Sequence, residues 1–250
     1  GEHEREIERK GQKITIDLYD GEIRYMDDAI GEIIAALKDE GIFEDTLIIV
    51  TSDHGEHLGQ HSKGRRIIWG HTSLYDTVAH IPFIMRYPKK LPKGRRVKGF
   101  CQQIDLLPTI LDLTGFKMDF LEIDGVSVMP LLEGKQIRDT IFMEHSSGQR
   151  SIRTERWHYL DDMFLDEAYA RRPRRPPELY NVVDDPMEVI NLAEIEEEKA
   201  QELRETLQTW VRANLKEGET DPAIYEDRGG VTERSFKYRE IVNLLYSLKS

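Results

Sequence analysis

Cysteine is nearly absent from this 250-residue chain: Cys101 stands alone, so no intrachain disulfide can form and a reducing compartment is permitted. The expected location is therefore cytoplasmic, with Cys101 a small half-apolar packing residue. Positive charge is also short. Thirty-five Lys and Arg face 47 Asp and Glu, a formal charge of −12. That balance excludes the broad basic surface a general nucleic-acid or anionic-membrane binder needs. A small anionic substrate stays admissible, because its site needs only local positive charge. No apolar run approaches the roughly 18 residues of a membrane span. The opening GEHEREIERKGQK has no signal-peptide core and enters a helix with no strand before it, which reads as a cut edge inside a longer protein.

What is present is an alternation of helix and strand. From Asp17 to Glu40 the residues Ile23, Met26, Ile30, Ile33, Ile34 and Leu37 recur at three- and four-residue steps, one face of an amphipathic helix closed by Gly41. Thr46 to Thr51 is aliphatic and β-branched on both faces, so Leu47 to Val50 is expected as a central parallel strand flanked by Ile81 to Met85. Ile81 to Tyr87 and Val97 to Gln103 read as further strands. Asp105 then caps a helix that tolerates Pro108 in its first turn and ends at Gly115. The pattern predicts an α/β core over residues 1–136. Residues 137–250 read as a smaller α+β unit with strand candidates IFMEHSS and SIRTERWHYL, a proline-rich loop, a helix from Ile195 to Leu215 and a helical tail.

The chemistry concentrates where the most apolar strand ends, in TLIIVTSDHGEHLGQH. Ligands of open α/β sheets bind beyond the carboxyl ends of strands. Asp53 and His54 arrive at such an end, offering oxygen and nitrogen donors to a divalent cation, and Gly55 lets the backbone turn. Histidines 54, 57 and 61 could instead form a zinc set, but Gly55 and Gly59 interrupt the helix this would need. His57 and His61 are expected as loop residues at the site mouth. His71, in GHTSLYDTVAHIPFIMRYP, could donate to a bound anion or protonate a leaving group. Lys63, Arg65 and Arg66 supply local positive charge, with Lys63 the candidate for substrate contact.

Several of these segments resemble one family, in order. YDGEIRYMDDAIGEIIAALKDEGIFEDTLIIVTSDHGEHLG, GHTSLYDTVAHIPFIMRYP, IDLLPTILDLTG, DGVSVMPLLEGK, SIRTERWHYL and ELYNVVDDPMEVINLAE are similar to the C-terminal half of the sulfatase family in the alkaline phosphatase superfamily. The resemblance runs over residues 15 to 215, with His80 in place of the usual arginine. It implies part of the alkaline-phosphatase-like layered core, followed by the smaller C-terminal subdomain. It also implies that Asp53 and His54 are metal ligands and that His71 contacts substrate and acts on the leaving oxygen. One divalent ion is implied, calcium foremost, with magnesium, manganese or zinc as alternatives. Asp27 and Asp28 lie on the first helix, away from the strand ends, and are expected to cap or pair.

The family's nucleophile motif, C-x-P-x-R or S-x-P-x-R, does not occur here, and Cys101 in FCQQIDL lacks its proline and arginine. The family's paired aspartates on a first strand are missing too. Formylglycine is accordingly expected only in a missing N-terminal half. The implied activity is metal-dependent hydrolysis of sulfate esters by the complete enzyme, with these 250 residues inactive alone. Alternatives are a phosphodiester or phosphonate ester hydrolase, or a non-catalytic fragment or binding module. The expected partners are a small anionic ester and either the missing half or a second copy of the chain.

Overall fold

The computed structural model describes residues 2–63, 66–116, 122–145, 148–162, 175–215 and 221. Helix α1 runs Glu2–Asp39, so the helix begins well before the periodic stretch that announces it. It closes in a Schellman arrangement: Gly41, at φ +71°, donates its N–H to Lys38 O, and Ile42 donates to Leu37 O. Much of its apolar stripe faces water, Leu18 being 68%, Met26 55% and Ile33 62% exposed. Asp27 and Asp28 are exposed on the same helix. No described helix is long and apolar enough to cross a membrane.

Strand β1 (Ile48–Thr51) pairs with β4 (Phe83–Arg86), the neighbour the sequence suggests, but antiparallel, with Ile48 opposite Arg86 and Thr51 opposite Phe83. The expected parallel pairing fails for a topological reason. A parallel neighbour needs a crossover, usually a full helix, and between these strands the chain supplies a hairpin, β2 (His57–Lys63) with β3 (Arg66–Gly70), and one four-residue helix, α2 (Asp76–Ala79). The strand expected over Val97 to Gln103 is not formed. That segment is irregular, with Gly94 and Gly99 at positive φ, and finishes in a 3-10 turn, Gln103–Asp105.

Helix α3 (Leu106–Thr114) has Pro108 in its first turn and ends on Gly115, at φ +78°. Asp105 does not cap it. Its carboxylate is buried, accepts the backbone N–H groups of Gln102 (2.7 Å) and Val126 (3.0 Å), and pairs with both guanidinium nitrogens of Arg138. Gly125 makes this possible, because a Cβ there would stand 2.0 Å from Ile104 O.

The second part is an antiparallel meander, β5 (Thr140–Glu144), β6 (Gln149–Thr154), β7 (Trp157–Asp162) and β8 (Glu178–Asn181), in that spatial order. SIRTERWHYL is thus two strands, turned where Thr154 Oγ1 accepts the Trp157 N–H at 3.0 Å. Alternation decides the faces. Ile152, Tyr159 and Leu179 point to α4 (Glu197–Ala213) and pack on Leu203 and Leu207. Leu160 and Tyr180 point the other way and pack on Leu74 and Tyr75, from the segment just before α2. Polar side chains of the meander's part hold that same segment. Gln149 accepts the Leu74 N–H (2.9 Å), Glu178 accepts the Tyr75 hydroxyl, and Glu188 accepts the Asp76 N–H (2.7 Å).

Candidate metal and substrate site

Past Thr51 the chain turns sharply, and several backbone groups of the turn are held. Ser52 Oγ donates to His54 O (2.6 Å), Gly55 donates its N–H to Val78 O (2.7 Å), and Gln103 Nε2 donates to Asp53 O (2.5 Å). Gly55 is required, since a Cβ there would lie 2.3 Å from Thr77 O. The turn leaves the Asp53 side chain 84% exposed. Its carboxyl is held below the usual range, first by the His54 backbone N–H at 2.9 Å and then by the adjacent imidazole charge. The group is therefore an anion throughout the neutral range.

His54 Nδ1 lies 2.8 Å from Gly55 O. A carbonyl only accepts, so in the neutral ring Nδ1 carries the proton and Nε2 keeps its lone pair. That Nε2 is 3.7 Å from Asp53 Oδ2. His71 reaches the same place from the far side of the hairpin. Register pairs His57 with Gly70, which sets residues 56 and 71 opposite one another just beyond the last pair. His71 Nδ1 is 3.3 Å from Glu56 Oε2, and its ring centroid is 4.1 Å from that of His54. His54, Glu56 and His71 thus come together, and Asp53 adjoins the group through His54 alone. Sequence reasoning passed over Glu56; the signal was there in D-H-G-E, but its meaning depends on the hairpin register.

Lys63 does not join this group. It lies at the other end of β2, paired with Arg66, four β3 residues from the His57–Gly70 pair and so on the order of 13 Å away along the hairpin. Its side chain, and Arg65 as a whole, lie outside the described residues. His57 and His61 are not mouth residues either. Both are buried on β2. His57 Nε2 meets Ser73 Oγ at 2.7 Å and its Nδ1 meets Thr77 Oγ1 at 2.8 Å. Burial, and then the His61 charge, push its pKa down to about 4. With both nitrogens engaged, a zinc set of histidines 54, 57 and 61 is excluded. His61 stacks on Tyr75 at 4.1 Å, and Tyr75 and Tyr180 both donate to Glu178, whose charge together with burial raises both phenols.

A second cluster, Asp76, His158 and Glu188, is mostly buried. Here the carboxylates already have cationic and N–H partners: Arg153 donates to Asp76 Oδ2 (3.3 Å), His158 Nδ1 bonds Glu188, and the Asp76 N–H bonds Glu188. This is a structural tie.

Residues 4–116 match the sulfatase family, and residues 64–217 match the family described as N-sulphoglucosamine sulphohydrolase, C-terminal. The chain belongs to the sulfatase family. Among its curated sulfatase relatives, arylsulfatase K of Xenopus laevis is 31% identical over 196 residues, 74% of this chain and 35% of that protein. Choline-sulfatase of Rhizobium meliloti (strain 1021) is 30% identical over 183 residues, 70% of this chain and 32% of that one. Of solved structures, the phosphonate monoester hydrolase of Agrobacterium radiobacter is 30% identical with a TM-score of 0.60, covering 76% of this chain and 39% of that one. A putative sulfatase from Bacteroides fragilis is 26% identical with a TM-score of 0.61, covering 74% and 40%. The fold is accordingly the α/β fold of sulfatases. This sulfatase-family chain spans about a third of the length of the curated relatives it matches, 35% and 32% of the two named. Membership implies a divalent metal, and the chain offers a group of residues able to hold one.

Proposed function

We propose that this chain is the metal- and leaving-group-binding part of a metal-dependent sulfate ester hydrolase. The observation that carries the reading is His54, just past the end of β1, with the anionic Asp53 3.7 Å from its Nε2 on one side and the His71 ring 4.1 Å from its own on the other. Asp53 and His54 fit one side of a divalent cation, the first as a charged oxygen donor and the second as a nitrogen donor of fixed tautomer. Calcium is the cation proposed for the complete, oxygen-rich site, with magnesium, manganese and zinc as alternatives. Such an ion neutralises the anionic oxygens of the ester and acidifies the attacking hydroxyl.

The remaining steps belong to the chain's own side chains. Glu56 accepts from His71 Nδ1 and orients the ring, which leaves Nε2 to give a proton to the departing alcohol oxygen. Gln103 ties the Asp53–His54 turn to the 3-10 turn Gln103–Asp105, and Gly55 ties it to α2. The attacking group is not among these 250 residues, since neither C-x-P-x-R nor S-x-P-x-R occurs. Cys101 does not replace it: burial, and then the charge of Asp105, push its thiol up, so little thiolate forms at neutral pH. The substrate is a small anionic ester, and the partner of the exposed α1 stripe is the N-terminal half of the enzyme or a second copy. The proposed location is cytoplasmic.

A phosphonate or phosphodiester hydrolase is the second reading, favoured by the Asp-His pair and the likeness to the Agrobacterium enzyme. Turnover of an aryl sulfate against a phenyl phosphonate ester, by the enzyme that contains this chain, separates the two. The sulfatase reading expects the sulfate to be preferred, and Asp53→Ala to lower turnover on the order of a thousandfold, as for the loss of several kcal/mol. Wild-type turnover and metal content in Asp53→Ala would overturn it. The 250 residues alone are expected to show no aryl sulfate turnover, with or without added metal.

A further inference from the structure

We propose that His54, Glu56 and His71 form a binding site for a borderline transition-metal ion, zinc being the type case, and that an ion held there takes His71 away from the substrate. The ligand set differs from the Asp53–His54 pair. It contains two imidazoles and one carboxylate, and it lies wholly within residues 54 to 71.

Geometry carries the proposal. One ligand atom from each residue lies within 4.8 Å of the other two. His71 Nδ1 and Glu56 Oε2 are 3.3 Å apart. In a tetrahedral zinc site with arms of about 2.0–2.1 Å, ligand atoms stand about 3.3–3.4 Å apart. One edge of the tetrahedron is thus already built, and the two edges to His54, each no longer than 4.8 Å, need to close by up to about 1.4 Å through side-chain rotation. His54 is also oriented as metal-bound histidines are: its other nitrogen donates to a backbone carbonyl, here Gly55 O at 2.8 Å, which fixes the tautomer and aims Nε2 outward.

The backbone holds the three ligands in place. Gly55 is pinned against Thr77 and Val78. The register of His57 with Gly70 sets Glu56 and His71 across from one another, and Gly70, at φ +84°, leads directly into His71. A Cβ on Gly70 would lie 3.7 Å from Glu56 Oε1, so the carboxylate packs over the glycine. The side chains of His54, Glu56 and His71 are 41%, 26% and 53% exposed, so an ion can enter and its fourth position stays open to water.

Donor chemistry decides the class of ion. Two imidazole nitrogens and a carboxylate suit zinc, cobalt or nickel, whereas calcium takes six to eight oxygens. Because His54 Nε2 serves both arrangements, the two ions compete. Zinc should therefore inhibit an enzyme that uses His71 on its substrate. That last consequence rests on the hydrolase reading; the binding site does not.

Isothermal titration of the 250-residue chain with zinc chloride tests the site directly. The expected result is one zinc per chain, with His71→Ala and Glu56→Gln each weakening it by roughly 100-fold or more, since even outer partners of a metal site are worth 10–100-fold. Asp53→Ala should weaken calcium but leave zinc within about threefold of wild type. Cobalt bound in place of zinc should give the intense visible absorption of a four-coordinate ion, and lose it in His71→Ala. Zinc binding unchanged in both His71→Ala and Glu56→Gln would overturn the proposal, as would zinc binding that depends on Asp53 but not on His71. Neither result touches the sulfatase reading, which stands or falls on the turnover of Asp53→Ala.

Discussion

Removing the guanidinium of Arg138 isolates the strongest single tie between the irregular 122–138 segment and α3. The Asp105 side chain is 1% exposed and that of Arg138 15%, so solvent screens the pair poorly. Arg138 Nη2 donates to Asp105 Oδ1 at 2.6 Å, Nη1 donates to Oδ2, and two backbone N–H groups complete the carboxylate. Arg138→Ala leaves those two N–H bonds and strips the only charge partner among the described residues, so a buried anion loses its compensation. Breaking a buried pair from one side costs about 3–5 kcal/mol. At 2–4 °C per kcal/mol for a chain of this size, the melting temperature should fall by about 6–20 °C. Urea denaturation followed by circular dichroism measures the loss. Arg138→Leu with Asp105→Asn removes both charges and should cost clearly less than the sum of the two single changes. A loss below about 1 kcal/mol in Arg138→Ala, or strict additivity in the cycle, would refute the assignment of Asp105 as a buried, charge-paired anchor.

Two further expectations concern the hairpin and the turn. His57 has a folded pKa of about 4, below its unfolded value of 6.5, so on acidification the unfolded chain takes up a proton that the folded one does not. Stability should therefore be unaffected by this group above about pH 6.5 and fall between there and about pH 4, and His57→Gln should flatten that part of the pH–stability curve. Gly55→Ala puts a Cβ 2.3 Å from Thr77 O, so the Asp53–His54 turn must move; metal affinity should drop, and urea denaturation should show stability falling by about 1–3 kcal/mol, the range for overpacking.

How far the sequence could be read depended on whether a residue's role is settled by its neighbours in the chain. The helical periodicity from Ile23 to Leu37 and the aliphatic stretch ending at Thr51 are local signals, and both elements are present. Strand direction is not local. The pairing of β1 with β4 was legible from composition, but its antiparallel sense follows from what lies between them. Histidines 57 and 61 were misread because glycine argues against a helix. Here the glycine serves a strand instead: the register shifts between Leu58 and Ser62, Gly59 takes φ +82°, and the two rings come to 5.3 Å centroid to centroid. Asp105 looked like a cap because caps are decided within four residues, whereas its partner Arg138 is 33 residues away. Lys63 has only its charge to recommend it, and the hairpin places it at the end opposite the His57–Gly70 pair. A strand end and a glycine turn single out Asp53 and His54 locally, whereas the approach of His71 to His54, 4.1 Å between ring centroids, depends on the hairpin register.

Segment 74–76 follows His71 by three residues, and its three bonds to Gln149, Glu178 and Glu188 make it a cross-brace between the two parts of the chain. A nuclease-style truncation of the gene after residue 136 would therefore do more than delete a flanking module. It would unfasten the base on which His71 stands, leave Leu74 and Tyr75 without the apolar face they pack on, and blunt the site without touching a residue in it. The converse holds for change over generations: substitutions at 149, 178 or 188, far along the chain from the D-H-G-E turn, are a means of retuning how firmly His71 is presented.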